Sequence, residues 1–227
     1  MSGGEQAGFE RGVGLEWRDG GVPVSTRFDD PYFSASGGLA ETRHVFLGGN
    51  GLPGRFCDGF QVAELGFGTG LNLLATLLAW QGPGVLRYTS FEAYPLDAGS
   101  IARALQAFPE ALALAGPFLD QWAAGRRRMD LGHVVAEVIV GDARQTLPAW
   151  DGLADAWYLD GFSPAKNPEM WAADLMAEVG RHTATGGTFA TYTAAGHVRR
   201  SLTEAGFVVA RLAGHGAKRH MSAGRKA

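Results

Sequence analysis

The chain has 227 residues, a formal net charge of −3, one cysteine and 46% hydrophobic residues. This length and composition fit one α/β domain with a packed core and a short extension. A single cysteine, Cys57, excludes an internal disulfide and is interpreted as a small apolar side chain. The polar first residues give no sign of a signal peptide, and Glu64 and Asn72 interrupt the apolar stretch 62–80, which excludes a membrane span. We therefore expect a cytoplasmic protein without a membrane partner.

The first 57 residues predict an N-terminal extension. Residues 1–12 are polar and glycine-rich, and residues 15–24 predict a β-hairpin with its turn at Asp19-Gly20. A turn-rich loop with three aromatic residues follows at 28–34, and a short helix is predicted between Gly37 and the glycines at 48–51. The aromatic residues beside paired aspartates form either a lid or base-stacking surface, or they fill the core. The pattern favours neither.

The segment 64–70, Glu-Leu-Gly-Phe-Gly-Thr-Gly, joins a short apolar run that predicts a strand to a leucine-rich run that predicts a helix. Its glycines let the backbone approach a ligand without Cβ atoms, and the helix directs free N–H groups at that ligand. Leu71 stands where the dinucleotide fingerprint needs its third glycine, which disfavours a dehydrogenase, and no Lys-Ser/Thr pair follows, which excludes a P-loop. The pattern resembles motif I of class I S-adenosylmethionine (SAM) methyltransferases; a glycine-rich turn in another α/β protein is the alternative.

Acidic residues follow the next two predicted strands. The strand at 86–91 ends at Glu92, whose carboxylate suits two ribose hydroxyls, although a solvated loop acid is the alternative. The strand at 134–140 is followed by Asp142, which suits an adenine amino group or caps the next helix.

The strand predicted at 154–159 opens into a loop that begins with Asp160 and is stiffened by Pro164 and Pro168. Ligands of open α/β sheets bind outside the carboxyl ends of the strands, so Asp160 is expected to face the cofactor. The remaining predicted helices are at 97–108, 168–182 and 196–205, with a further helix over 109–129 that is broken by Pro117 and Gly125. The remaining predicted strands are at 188–193, 207–212 and 219–223.

Basic residues are concentrated at the end of the chain. Residues 198–227 hold seven Arg or Lys against one Glu, and 126–128 are three arginines. A local basic face attracts phosphates even on a mildly acidic protein, although solvated surface charge explains the same pattern. The six histidines lack metal-ligand spacing, so no metal site is predicted.

Four blocks of the sequence together resemble the methyltransferase half of the bifunctional bacterial tRNA-modifying enzyme MnmC and its stand-alone relatives. They are residues 28–34, 41–50, 66–72 and 159–168. The resemblance implies an α/β class I SAM-dependent methyltransferase fold, a Rossmann-like seven-stranded sheet whose last strand is antiparallel, at residues 58–227. A small β extension with a lid-like segment precedes it at residues 1–57. It also implies conversion of 5-aminomethyl-2-thiouridine to 5-methylaminomethyl-2-thiouridine at the tRNA wobble position.

The resemblance to the family implies that Gly66, Gly68 and Gly70 border SAM, that Glu92 meets its ribose and Asp142 its adenine, and that Asp160 lies between cofactor and substrate. The other roles below are hypotheses from the chemistry of the residues. Asp160 is the expected catalytic residue, which holds the amine or accepts its proton. The residues expected to bind SAM are Glu64, Gly66, Phe67, Gly68, Gly70, Asn72, Glu92, Asp142 and Asp160. The residues expected to bind the tRNA anticodon loop are the aromatic Tyr32, Phe33 and Phe162 and the basic Arg43, Lys166, Arg199, Arg200, Lys218 and Arg219.

Bifunctional members of this family also carry a C-terminal FAD-dependent oxidase that produces the amine. The sequence ends at Ala227, so we expect no FAD and a separate enzyme that supplies the aminomethyl group. Two other functions remain open, a SAM-dependent methyltransferase of a small amine or acid and a non-catalytic RNA-binding module. A steep salt dependence of substrate binding favours tRNA over a small molecule.

Overall fold

The computed structural model describes residues 14–18, 20–34, 37–82 and 84–227. Its strands are β1 (Leu15–Arg18), β2 (Val22–Ser25), β3 (Asp30–Pro31), β4 (Gln61–Leu65), β5 (Leu86–Glu92), β6 (Arg128–Asp130), β7 (Val134–Val140), β8 (Ala154–Leu159), β9 (Thr183–Thr191), β10 (Phe207–Ala213) and β11 (His220–Lys226). Its α-helices are α1 (Gly38–Thr42), α2 (Leu71–Ala79), α3 (Ala98–Leu105), α4 (Pro109–Leu112), α5 (Gly116–Ala123), α6 (Ala143–Thr146), α7 (Ala173–Arg181) and α8 (Gly196–Glu204).

The main sheet has the order β10-β11-β9-β8-β4-β5-β7-β6 in the described part of the chain. The five central strands are parallel, and β11 lies antiparallel between β9 and β10. These seven strands form the predicted sheet with its antiparallel last strand. The chain order reverses between β4 and its two neighbours β5 and β8, which leaves a crevice outside the carboxyl ends of these strands.

An eighth strand departs from the sequence prediction. Residues 109–129 were predicted to be helix broken by Pro117 and Gly125, and they do form two short helices, α4 and α5, but they end in β6, which pairs antiparallel with β7 at the sheet edge. The helix predicted over 168–182 is divided into a 3₁₀ turn at Pro168–Trp171 and α7. The strand predicted at 188–193 begins earlier, at Thr183.

The N-terminal extension forms its own three-stranded antiparallel sheet, in which β1 and β2 make the predicted hairpin. Residues 1–13 and the turn residue Asp19 lie outside the described residues. Helix α1 continues directly into a π-helical segment, Arg43–Gly48. Phe46 and Leu47 of this segment join the hydrophobic core that contains Val62 of β4. The extension is therefore packed on the main sheet, and a domain boundary at residue 57 stays a prediction.

The central strands divide two hydrophobic cores. On β4, Val62 belongs to the core that faces α2, and Ala63 and Leu65 belong to the core that faces α7 and α8. This alternation follows from the two-residue period of a strand, and burial on both faces explains the continuous apolar run in the sequence. Within the described ranges, no helix has the length and apolar character needed to cross a membrane.

Candidate functional site

A cleft of about 2110 Å³ lies at the carboxyl ends of β4, β5, β7 and β8. The segments that follow these strands form one side of it, through Gly66 and Gly68, Glu92, Asp142 and Asp160. The N-terminal extension and the β10–β11 loop form the other side. The cleft therefore occupies the position that the reversal of strand order predicts.

The glycine loop has left-handed backbone at its three glycines, with φ values of +89° at Gly66, +53° at Gly68 and +73° at Gly70. A Cβ atom on Gly66 would lie 1.9 Å from the carbonyl oxygen of Asp160, so only glycine lets the β4 and β8 loops touch. A Cβ atom on Gly70 would press on the ring of Phe118 at 3.0 Å. Gly66 and Gly68 line the cleft, whereas the requirement at Gly70 comes from core packing.

Two residues predicted to bind the cofactor have their side chains elsewhere. The Phe67 ring is buried in the core, where it stacks on Trp122 with the ring centroids 5.1 Å apart. Only its backbone is left for a ligand. Glu64 has no solvent exposure and lies beneath the cleft wall, so it acts through its neighbours and not on a ligand directly.

Asn72, on the first turn of α2, connects the cleft wall to this buried acid. Its Nδ2 donates to Oε1 of Glu64 at 2.8 Å and to Oδ2 of Asp160 at 2.7 Å. Its Oδ1 accepts from the Thr42 hydroxyl at 2.9 Å, and Ser90 donates to Oε2 of Glu64 at 2.7 Å. Burial raises the pKa of Glu64 to about 8, although the hydrogen bonds from Ser90 and Asn72 lower it.

Asp160 opens onto the cleft on one side and is enclosed by protein on the others. The pKa of Asp160 is raised to about 7, chiefly by burial and also by the charge of Glu41. The hydrogen bond from Asn72 and the charge of Lys218 act in the opposite direction. Lys218 pairs with Glu41 at 2.6 Å and lies 4.1 Å from the centroid of the Tyr192 ring. Asp160 is thus a carboxyl group poised to exchange a proton near neutral pH.

Glu92 supports the glycine loop from the end of β5. Its Oε2 accepts from the Gly68 N–H at 3.0 Å and its Oε1 accepts from the Tyr94 N–H at 2.7 Å. Burial raises the pKa of Glu92, while these backbone donors lower it. The backbone N–H groups of Phe67 and Ala93 also act on this carboxylate, so Glu92 is held by the main chain of the cleft wall. The residue lines the cleft, and its cofactor contact stays a prediction.

Asp142 caps α6, as the alternative interpretation of the sequence held. Its side chain accepts from the Arg144 N–H at 2.9 Å and pairs with the Arg144 guanidinium, which lowers the pKa of Asp142. It also lines the cleft beside Val140, a half-exposed apolar residue at the end of β7. Val140 offers an apolar contact to an adenine ring, and the Asp142 carboxylate can accept a hydrogen bond from its amino group.

An aromatic cluster lies where the N-terminal extension meets the β8 loop. The Phe28 and Phe162 rings stack with centroids 4.8 Å apart, and Tyr32 meets Phe162 edge-on at 5.1 Å. All three line the cleft. Phe33 packs edge-on against Phe108 and is largely buried in the core, but it also borders the cleft, so its contact with substrate stays a prediction. The sequence offered a lid and a core plug as alternatives; the structure divides the segment between them.

Two of the basic side chains predicted to bind phosphate form ion pairs with acidic side chains of the same protein. Lys166 pairs with Asp29 at 3.0 Å, and Arg43 pairs with Glu110. Arg199 and Arg200 line a separate small groove along α8 and not the cleft, and Arg219 is exposed but is likewise not part of the cleft lining. Of the six predicted basic contacts, Lys218 is the one that lines the cleft.

Sequence reasoning missed the residues that reach Asp160 from distant parts of the chain. Glu41 of α1 acts on Asp160 through its charge, and Thr42 of α1 donates to Asn72, which in turn bonds Asp160. Tyr192 donates its hydroxyl to the carbonyl of the next residue, Gly161, at 2.6 Å. The pair Glu41-Thr42 was quoted as part of a family block, but no local pattern gave it a role. Among the described residues, no group of three or more His, Cys, Asp or Glu side chains is arranged to hold a metal ion.

Comparisons with known proteins agree on the class of protein. A family model described as S-adenosyl-L-methionine-dependent methyltransferase matches residues 109–227. The chain is 46% identical over 233 residues to the tRNA 5-methylaminomethyl-2-thiouridine biosynthesis bifunctional protein MnmC of Aeromonas hydrophila, covering 94% of this chain and 35% of that protein. It is 49% identical over 216 residues to the protein of the same name from Caulobacter vibrioides, covering 90% and 36%. The chain thus spans about a third of the length of these curated relatives.

The fold is also similar to that of a solved structure. The crystal structure of MnmC2 from Aquifex aeolicus superposes with a TM-score of 0.75 at 23% sequence identity, covering 95% of this chain and 71% of that chain. At this identity the similarity supports the fold alone, and it confirms the predicted class I architecture.

Proposed function

We propose a reaction on the premise that this chain belongs to the family of S-adenosyl-L-methionine-dependent methyltransferases. In the proposed reaction, the protein transfers a methyl group from SAM to the primary amine of 5-aminomethyl-2-thiouridine at the tRNA wobble position. The names of the relatives, over the third of their length that the chain matches, support this substrate. The observation that carries the proposal is Asp160, a carboxyl group at the cleft whose surroundings suit proton transfer from an amine.

The cofactor fits the half of the cleft formed by the β4, β5 and β7 loops. Gly66 and Gly68 border this half of the cleft and carry no Cβ atoms, so a ligand can approach their main chain closely. Glu92 is suited to hold the ribose hydroxyls, and Asp142 and Val140 the adenine. SAM supplies a methyl group on a positively charged sulfur, which the amine nitrogen attacks in line as the carbon–sulfur bond breaks.

Asp160 makes the amine nucleophilic. A free alkylamine has a pKa of about 10 and is protonated at neutral pH, so it must lose a proton before it attacks. With its pKa raised to about 7, Asp160 is a stronger base than an ordinary aspartate and still ionised in a large fraction of molecules. It accepts a hydrogen bond from the ammonium group, takes its proton and directs the nitrogen lone pair into the cleft.

In this proposal the described part of the N-terminal extension, which runs to residue 57, forms the acceptor side of the cleft, and residues 58–227 are the methyltransferase domain. The stacked Phe28 and Phe162 rings and the edge of Tyr32 offer faces on which an unstacked wobble base can lie. Exposed arginines outside the cleft, Arg200 and Arg219, remain available for anticodon-loop phosphates. A separate enzyme that supplies the aminomethyl group stays a prediction.

A small amine is the second candidate substrate, and one observation favours it. Lys166 and Arg43, predicted to bind phosphate, are neutralised by Asp29 and Glu110. This reduces the positive charge close to the cleft. The two substrates differ in salt dependence, because tRNA binding releases counterions and weakens steeply as salt is raised, whereas binding of a small amine changes little.

The test is transfer of labelled methyl groups from SAM to two tRNA preparations that differ only in the 5-aminomethyl group of the wobble uridine. We expect label only in the tRNA that carries this group. The Asp160→Asn variant, which keeps the side-chain shape, serves as the control for enzyme-dependent transfer. Label in neither tRNA, with SAM binding demonstrated by calorimetry, would reject the proposed substrate and leave the small amine.

A further inference from the structure

The amide of Asn72 lies between two carboxyl groups in the wall of the cleft. Asn72 is 5% exposed and Glu64 is fully buried, so neither exchanges its partners for bulk water. Both Nδ2 hydrogens are used, one on Glu64 at 2.8 Å and one on Asp160 at 2.7 Å. A side-chain amide between two acceptors can satisfy both only through its NH₂ group.

The network also fixes which way the amide faces. Turning the amide over would bring Oδ1 of Asn72 against both carboxyl groups, and this would require a proton on each. In the orientation described, Thr42 donates to Oδ1 at 2.9 Å and Ser90 holds the far oxygen of Glu64 at 2.7 Å. Three separate elements, α1, β4 and β5, therefore hold one amide in one orientation.

We infer that Asn72 is the positioning residue for Asp160: it fixes the carboxylate through Oδ2 and so presents Oδ1 to the amine, while Thr42 and Glu64 hold Asn72 in place. Among the described residues, Oδ1 of Asp160 has no hydrogen-bond partner. The inference rests on the proposed function, because it takes Asp160 as the group that receives the proton. Glu64 contributes from a distance, as a buried group that occupies the second N–H of the amide.

The hydrogen bond is to the ionised form of Asp160, so it favours that form over the protonated one. Other groups also act on this carboxyl group and are not substituted in the variants below, although Glu64 loses its hydrogen bond from Asn72 in Asn72→Leu. These groups are Lys218, which lowers the pKa of Asp160, and the surrounding Glu41, Glu64, Tyr88 and Tyr192.

The experiment measures the ionisation of Asp160 directly, in full-length protein with ¹³C-labelled aspartate, by NMR titration. The Asp160→Asn variant identifies the signal. We expect Asn72→Leu, which removes both N–H groups at similar volume, to raise the pKa of Asp160 by about one unit. We expect the acid limb of kcat/KM to move upward equally, so that the loss of activity is about tenfold at acidic pH and recovers as the pH is raised.

A second variant and a matched control make the result decisive. Thr42→Val removes only the group that orients the amide, and we expect a smaller shift in the same direction. Thr76→Val removes a different buried hydroxyl, on α2, which donates to the main-chain carbonyl of Asn72 and not to its side chain. We expect no shift of the Asp160 pKa in this variant. If Asn72→Leu does not fold, Thr42→Val decides.

An unchanged pKa of Asp160 in folded Asn72→Leu overturns the inference. If Asn72→Leu is unfolded, an unchanged pKa of Asp160 in Thr42→Val overturns it. A shift of the same size in Thr76→Val also overturns it, because the effect would then be a general loosening of α2. The titration needs no turnover. A wild-type protein that transfers no methyl group to tRNA therefore rejects the proposed function separately from the Asn72 contact.

Discussion

Replacing Glu64 by glutamine tests whether the buried carboxyl group beneath the cleft is neutral in the folded protein. The pKa of Glu64 is raised to about 8, chiefly by burial and also by the charge of the nearby Asp160. The hydrogen bonds from Ser90 and Asn72 act in the opposite direction. In the unfolded chain the pKa of Glu64 is about 4.3. Because the folded state binds this proton more tightly, the stabilisation is complete below about pH 4.3 and is lost progressively as the pH rises through about 8.

The size of the effect follows from the two pKa values. At pH 9 the full difference corresponds to an upper limit of about 5 kcal/mol, and between pH 5.5 and pH 9 the change is about 3 kcal/mol. For a chain of this length, each kcal/mol moves Tm by about 2–4 °C. Glutamine keeps the shape: its oxygen accepts from Asn72 and its amide donates to Ser90. We therefore expect the Tm of Glu64→Gln relative to that of the wild type to increase by about 6–12 °C when the pH is raised from 5.5 to 9.

The assay is thermal unfolding of wild type and variant across pH 5.5 to 9 by scanning calorimetry. Glu204, an exposed acid on α8, provides the control. We expect Glu204→Gln to follow the wild-type curve in parallel. A difference between Glu64→Gln and wild type that stays constant with pH would refute the reasoning, because a neutral group cannot replace a titrating one without changing the pH dependence.

Three further predictions concern the cleft. Asp160→Asn is expected to lose turnover and to keep its SAM affinity, as measured by labelled methyl transfer and calorimetry; retained turnover would reject Asp160 as the proton acceptor. Gly66→Ala is expected to lower stability in urea by well over 1 kcal/mol, because the added Cβ meets the Asp160 carbonyl, whereas Gly125→Ala, with open space around it, should lose only about 1 kcal/mol. Phe162→Ala should raise the KM for tRNA by about 5- to 150-fold, since stacking on a base contributes about 1–3 kcal/mol, and leave the KM for SAM unchanged.

The central strands were predictable because their pattern is local. Parallel strands buried on both faces give continuous apolar runs that end at turn residues, so β5, β7 and β8 lie within one residue of their predicted limits. Strand β6 was not predictable for the opposite reason. The strand has only three residues, and two of them, Arg128 and Asp130, are charged and exposed, so it forms because the edge of β7 offers backbone partners. Tertiary contact overrides local preference at such positions.

The same distinction explains which site residues were found. Glu92 and Asp160 follow strands directly, so their position at the cleft is a consequence of the sheet. Phe67 borders the cleft, but its ring is stacked on Trp122 between two left-handed glycines, so a cofactor contact through its main chain stays a prediction. Its neighbours in sequence predict nearness to a ligand, but the direction of a side chain depends on backbone angles that sequence does not give.

The two halves of the cleft therefore differ in how the chain encodes them. The cofactor half is made of strand ends and the loops that immediately follow them, and a short motif is enough to specify it. The acceptor half brings Thr42 and Lys218 to the surroundings of Asp160 from opposite ends of the chain. The ion pair of Lys218 with Glu41 joins residues 177 positions apart, and Thr42 acts through Asn72. Only the folded protein assembles these groups. Changes in the extension should consequently alter the reactivity of Asp160 toward its acceptor and leave the loops that hold the cofactor intact.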